Sequence, residues 1–249
     1  MNKVQNRKIK DLVSENYLYA SVLYFFGIEF YNYSEDTLEQ VCKEKGISLT
    51  MVISDLEGAV KSKVSVDASL IDFPVDLLIE YLKYTHHTFV KKRLPYVAKC
   101  LDKLDLRQVK YPLAKDLKFV FPLFLEDFIR HLYEEEDQLF SYILSLQQVL
   151  NQNLNMNKVY FQMERHTLRD FAIEHSSQED EMSGLRKITN DYDTSGCENV
   201  CMKVILSELK SLDEELKIHA KIEDEILFPK ALVLEKQVKT LIRKNISAN

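Results

Sequence analysis

Glycine and proline are scarce in this chain, with five of each among 249 residues. Together they make up about 4% of the sequence, against roughly 12% in average usage. So few turn-makers allow few turns, which argues against sandwiches, barrels, propellers and collagen-like repeats. The Gly-rich phosphate loops of dinucleotide and nucleotide folds are also missing from the sequence. A mostly helical protein remains, long enough for one large core or a core with a small satellite.

The formal charge is −6, with a pI near 5.6. Such an acidic, mixed surface fits a cytoplasmic protein and counts against nucleic-acid binding. No apolar run approaches a membrane span, and the N-terminal residues lack the apolar core of a signal peptide. Cys42, Cys100, Cys197 and Cys201 are scattered and read as reduced thiols. Cys197-x-x-x-Cys201 has no further ligand at metal spacing beside it.

Hydrophobic periodicity predicts one helix from Ile9 to Phe26, closed by Gly27, then two short helices opening near Ser34 and Ser48. Residues 1–62 thus form a small helical N-terminal domain, and the polar stretch 63–73 reads as a linker. Residues 74–249 carry four long helices: Pro74 to about Asp102, Leu113 to Leu150 with a kink at Pro122, Val159 to Asp191, and Val200 to Phe228. Pro229 is expected to change direction before a short C-terminal helix. The expected fold is all-α, an up-down-up-down four-helix bundle behind a small helical domain, and such bundle cores commonly hold metals.

All six histidines lie in the expected bundle. On the second helix Phe124, Phe128, His131, Glu135 and Leu139 share one stripe. On the fourth, Leu212, Leu216, His219, Glu223 and Ile226 repeat it. A carboxylate on an apolar face loses several kcal/mol of solvation unless a cation compensates. Imidazole with carboxylate is a donor set for iron, manganese or zinc. One His-x-x-x-Glu arises by chance on solvated helices, but two on separate apolar stripes favour a metal site. His175 shares the face of Leu168, Phe171, Met182 and Leu185, and His166 falls on the solvated side as the alternative. On the first helix the stripe of Val75, Ile79, Leu82 and Phe89 centres on His86 rather than His87.

His131-x-x-x-Glu135 before Leu139-Phe140, and His219-x-x-x-Glu223 before Leu227-Phe228-Pro229, resemble the paired signatures of hemerythrin-like HHE cation-binding domains. Within them the chain resembles the repair-of-iron-centres (RIC) family. His87 stands where that family's first-helix ligand precedes Leu94-Pro95, and Glu174-His175 is similar to its third-helix Glu-His. The resemblance makes His87 the ligand, with His86 kept as the alternative. Residues 26–38 are similar in layout to the small domain ahead of that family's bundle. Where the family has Cys-Cys-Gly-Gly, this chain has Tyr31, Asn32, Tyr33 and Ser34, so no thiol role is expected there.

The resemblance implies a non-haem di-iron centre held by His87, His131, His175 and His219, with Glu135 and Glu223 as bridges. Two octahedral irons have about twelve positions. Four imidazoles, two bridging carboxylates and an oxo or hydroxo bridge fill about ten, leaving room for O2 or NO or for iron to leave. The implied role is repair of iron–sulfur clusters after oxidative or nitrosative stress, as iron donor, with damaged iron–sulfur proteins as partners. A gas-binding or NO-handling protein and a purely structural bundle are the alternatives. No Ser or Cys nucleophile with a base supports hydrolytic chemistry. Fe–Fe and Fe–Mn centres use the same donors, and a homodimer is implied only at family level.

Overall fold

The computed structural model describes residues 4–61, 68–107, 113–152, 156–165, 167–177 and 180–247. The side chains of residues 60, 61, 68, 158, 174–177, 246 and 247 lie outside that description. Every regular element among the described residues is helical, apart from one isolated bridge between Lys8 and Thr37. The chain is all-α, as expected.

It forms two compact units, one of residues 1–64, 92–122 and 184–214, the other of 65–91, 123–183 and 215–249. The first begins with α1 (Ile9–Glu15), α2 (Tyr19–Phe25), α3 (Leu38–Lys45) and α4 (Leu49–Lys61). The single helix expected over residues 9–26 is broken, because the Asn16 side chain accepts from the Leu18 N–H and turns the chain. Gly27 does adopt the left-handed conformation expected after a helix, at φ 72°. Thr37 and Gln40 form a reciprocal capping box that starts α3. Replacing Thr37 by Ala is expected to cost about 1 kcal/mol in urea unfolding.

The run after Pro74 comprises α5 (Val75–Thr88), a π-helical turn π1 (Phe89–Arg93) and α6 (Leu94–Lys103). The next is α7 (Leu113–Glu134), π2 (Glu135–Phe140) and α8 (Ser141–Leu150), with Pro122 inside α7. The long third helix expected over residues 159–191 is instead α9 (Met156–Arg165), α10 (Leu168–Ser177) and α11 (Ser183–Ile188). Thr167 caps α10, exchanging bonds with Asp170. The last run is α12 (Val200–Ile222), π3 (Glu223–Leu227) and α13 (Phe228–Ser247). Pro229 therefore sits in the first turn of a 20-residue helix rather than before a short tail.

The second unit's core joins Leu78, Ile79 and Leu82 of α5 to Ile143 and Leu146 of α8, and to Ala231 and Val238 of α13. Glu235 is buried within it, accepting from the Tyr142 hydroxyl at 2.9 Å, the Leu168 N–H at 3.0 Å and the Lys239 ammonium at 2.7 Å. In the first unit, Arg186 holds buried Asp213 with two bonds of 2.9 and 2.6 Å. The four cysteines are free thiols. Burial pushes Cys100 up to about 12 and Cys201 up to about 11, so both are poor thiolates. No helix among the described residues is long and apolar enough to cross a membrane.

Candidate metal centre

Three π-helical turns frame the second unit's polar centre. Glu135 and Glu223 are each the first residue of such a turn, four residues after a histidine in regular α-helix. Proline explains two of the three. A proline has no N–H, and its ring clashes with the carbonyl four residues back. Pro95 and Pro229 each stand two residues beyond a π turn, where the wider i→i+5 spacing avoids that demand. Both prolines are six residues after the first residue of their turn, and the residue six after Glu135 is Ser141, whose hydroxyl donates to the Glu136 carbonyl at 3.1 Å. Such turns concentrate at functional sites.

Four buried side chains meet there: His86, Glu135, His219 and Glu223, with ligand atoms all within 4.8 Å of one another. The Nε2 atoms of His86 and His219 face each other at 2.8 Å. His86 Nε2 lies 3.5 Å from Glu135 Oε2, and His219 Nε2 lies 3.1 Å from Glu223 Oε1. None of the four is more than 7% exposed. The Phe140 ring stacks on His86, with centroids 5.7 Å apart, and Phe89 meets His219 edge-on at 6.0 Å. These rings fix the imidazole planes and keep the surroundings apolar.

The charges explain what the cluster accepts. Burial, reinforced by His219, pushes His86 down to about 3, so its imidazole is neutral with a lone pair to give. Burial and the neighbouring Glu223 carboxylate raise Glu135 well above the usual carboxylate range. Glu135 Oε1 and His219 Nδ1 have no hydrogen-bond partner among the described residues. Two buried imidazoles and two buried carboxylates within reach of one another fit a transition-metal cation. Glu136 accepts from His86 Nδ1 at 2.8 Å, which holds the ring's proton there and turns Nε2 inward. Metal-ligating histidines are commonly oriented in this way.

Of the residues expected from the sequence, Glu135, His219 and Glu223 lie together with His86. On the first helix His86 is buried in the cluster, whereas His87 is exposed. The apolar face of α5 consists of Val75, Leu78, Ile79, Leu82 and His86, and the next residue points about 100° away. His131 stands at the edge of the cluster, a quarter exposed, with Nε2 3.1 Å from Glu181 Oε1. His175 lies on α10 with its side chain outside the described ones, and His166 lies outside the described residues. Glu136 and Glu181 escaped sequence reading. Each sits in an acidic run where nothing distinguishes one carboxylate from its neighbours.

Two iron-sulfur cluster repair proteins named ScdA, from two strains of Staphylococcus epidermidis, are each 19% identical over 226 residues. Each alignment covers 89% of this chain and 96% of the relative. The pattern of the Hemerythrin HHE cation binding domain matches residues 78–231, a span that includes every member of the buried cluster. With that match over more than half its length, this chain belongs to the hemerythrin HHE cation-binding domain family.

Proposed function

We propose that this protein is a non-haem di-iron protein that restores damaged iron–sulfur clusters, with iron as the material it supplies. In this reading residues 74–249 carry the iron, and residues 1–62, ahead of the 63–73 linker, form a helical module that shares its compact unit with residues 92–122 and 184–214. His86, His131, His175 and His219 give the imidazole donors, and Glu135 and Glu223 the shared carboxylates. The observation that carries the reading is the burial of His86, Glu135, His219 and Glu223 together beside the Phe89 and Phe140 rings. The similarity to proteins named for iron–sulfur cluster repair supports the choice of role.

Bound iron would supply Lewis acidity, redox capacity and a transferable store of metal. The chain's own groups do the rest. Glu136 orients His86, and Phe89 and Phe140 exclude water from the buried face. The partly exposed His131 marks the side from which iron reaches solvent. Since Tyr31, Asn32, Tyr33 and Ser34 replace a thiol pair, repair here would proceed by metal supply rather than thiol exchange.

The test is restoration of an iron–sulfur enzyme whose cluster has been degraded by hydrogen peroxide or nitric oxide. Iron-loaded protein should restore its activity, and metal-free protein should not. Iron that stays bound through the assay, with reversible O2 or NO spectra, would replace repair by gas binding. For the first-helix ligand, His86→Ala is expected to lose at least half of the bound iron and His87→Ala none. The opposite pattern would return the role to His87.

A further inference from the structure

The four groups are buried, and among the described residues the cluster has a wet edge. His131 and Glu181 stand there with side chains 25% and 31% exposed, their Nε2 and Oε1 atoms 3.1 Å apart. Glu181 is close enough for its charge to act on Glu135, adding to the effects of burial and Glu223. It rides on a turn between α10 and α11 rather than on either helix. That turn is tied at Asp180, whose side chain accepts from the Met182 N–H at 3.1 Å and whose carbonyl accepts from the Ser183 N–H at 2.7 Å. Met182, next along, is buried. Glu181 is thus held at the open edge of the cluster by a fixed backbone.

We propose that Glu181 is the entry and exit ligand of the metal centre, a carboxylate that takes an incoming divalent cation and passes it to His131. This rests on the metal-centre reading above. A hydrated divalent cation cannot enter a pocket of buried imidazoles without shedding water, and each lost water needs a replacing donor. Carboxylate oxygen is such a donor for hard and borderline cations. Glu181 offers one at the edge, exchanging a metal–water bond for a metal–carboxylate bond. As Glu181 leaves the cation its carboxylate takes the Nε2 proton of His131, and the freed Nε2 lone pair replaces that carboxylate on the cation. Release runs through the same exchanges in reverse. Glu181 therefore governs how fast metal moves, whereas Glu135 and Glu223 govern whether it is held.

The test uses the full-length protein and Fe(II) alone, without oxygen. Uptake is followed by stopped-flow, extraction by a colour-forming chelator, and saturation by metal content. Glu181→Gln keeps an acceptor for His131 but loses charge. It is expected to bind as much iron as wild type while uptake and extraction both slow about tenfold. Glu225→Gln removes an exposed carboxylate on π3 and controls for general surface charge. It is expected to leave both rates unchanged. Equal rates in wild type and Glu181→Gln would overturn the proposal, as would equal slowing by Glu225→Gln. Loss of iron at saturation would also overturn it, making Glu181 a resident ligand. Wild type that takes up no Fe(II) would overturn the metal-centre reading itself, before any variant is compared.

Discussion

Anaerobic addition of Fe(II) to metal-free protein is expected to raise its thermal unfolding midpoint by about 10 °C, and Glu135→Gln is expected to abolish that rise. A ligand present at a thousand times its dissociation constant stabilises the folded state by about 4 kcal/mol. A chain of this size shifts by roughly 2–4 °C per kcal/mol. The same substitution should stabilise the metal-free form, because Glu135 is a buried carboxyl beside Glu223 with one oxygen unbonded among the described residues. An amide carries no charge to desolvate. Metal-free and loaded protein should thus respond in opposite directions to one atom-for-group exchange, an outcome that a structural role for Glu135 does not produce.

The pH dependence follows from the raised Glu135. In metal-free protein its folded carboxyl binds a proton more tightly than in the unfolded chain. Stability of that form therefore falls as pH rises from the unfolded value near 4.3 toward the raised folded value. Iron requires the carboxylate, so loading releases this proton and is favoured as pH rises. The iron-induced rise in melting temperature should be larger at pH 8 than at pH 6. A rise independent of pH would remove Glu135 from the ligand set.

Glu235→Ala is expected to be the most destabilising single substitution in the second unit, at about 3 kcal/mol by urea unfolding. It leaves the buried Tyr142 hydroxyl and the Leu168 N–H without their acceptor, and each unsatisfied buried donor costs about 1–3 kcal/mol. Burial alone would raise the Glu235 carboxyl, but the bonds from Lys239, Leu168 and Tyr142 outweigh it and hold it lowered. A lowered carboxylate stabilises the fold above its unfolded value of about 4.3, and that contribution is lost as pH falls through the folded value. Wild type and Glu235→Gln should therefore differ at pH 7 and converge in acid. A gap that stays constant with pH would mean the charge contributes nothing.

How far the sequence reveals this arrangement depends on the kind of signal. Paired His and Glu on apolar stripes point to the buried positions of His219 and Glu223 because burial follows helical period. The same stripe on α5 identifies His86, whereas a count back from Leu94-Pro95 selects exposed His87. Such a count does not register which residue faces inward, and π1 lies within the counted interval. The π turns themselves leave no trace in a 3.6-residue period, although Pro95 and Pro229 mark two of them. Side-chain turns were the other blind spot. Asn16 divides the first helix, and the Thr167–Asp170 cap restarts the third run, each by a local bond within an otherwise helical pattern. Glu136 and Glu181 act through contacts between distant segments, His86 with Glu136 and His131 with Glu181, which no local pattern encodes.

The central claim, that His86, Glu135, His219 and Glu223 hold iron, is tested most directly by metal content. Elemental analysis would compare wild type purified without chelators with the Glu135→Ala, Glu223→Ala double variant. The predicted result is about two irons per chain in wild type and none in the double variant, with the helical circular dichroism of both preserved. Wild type that holds no transition metal even after anaerobic loading with Fe(II) would contradict the account and leave the buried His–Glu pairs as structural.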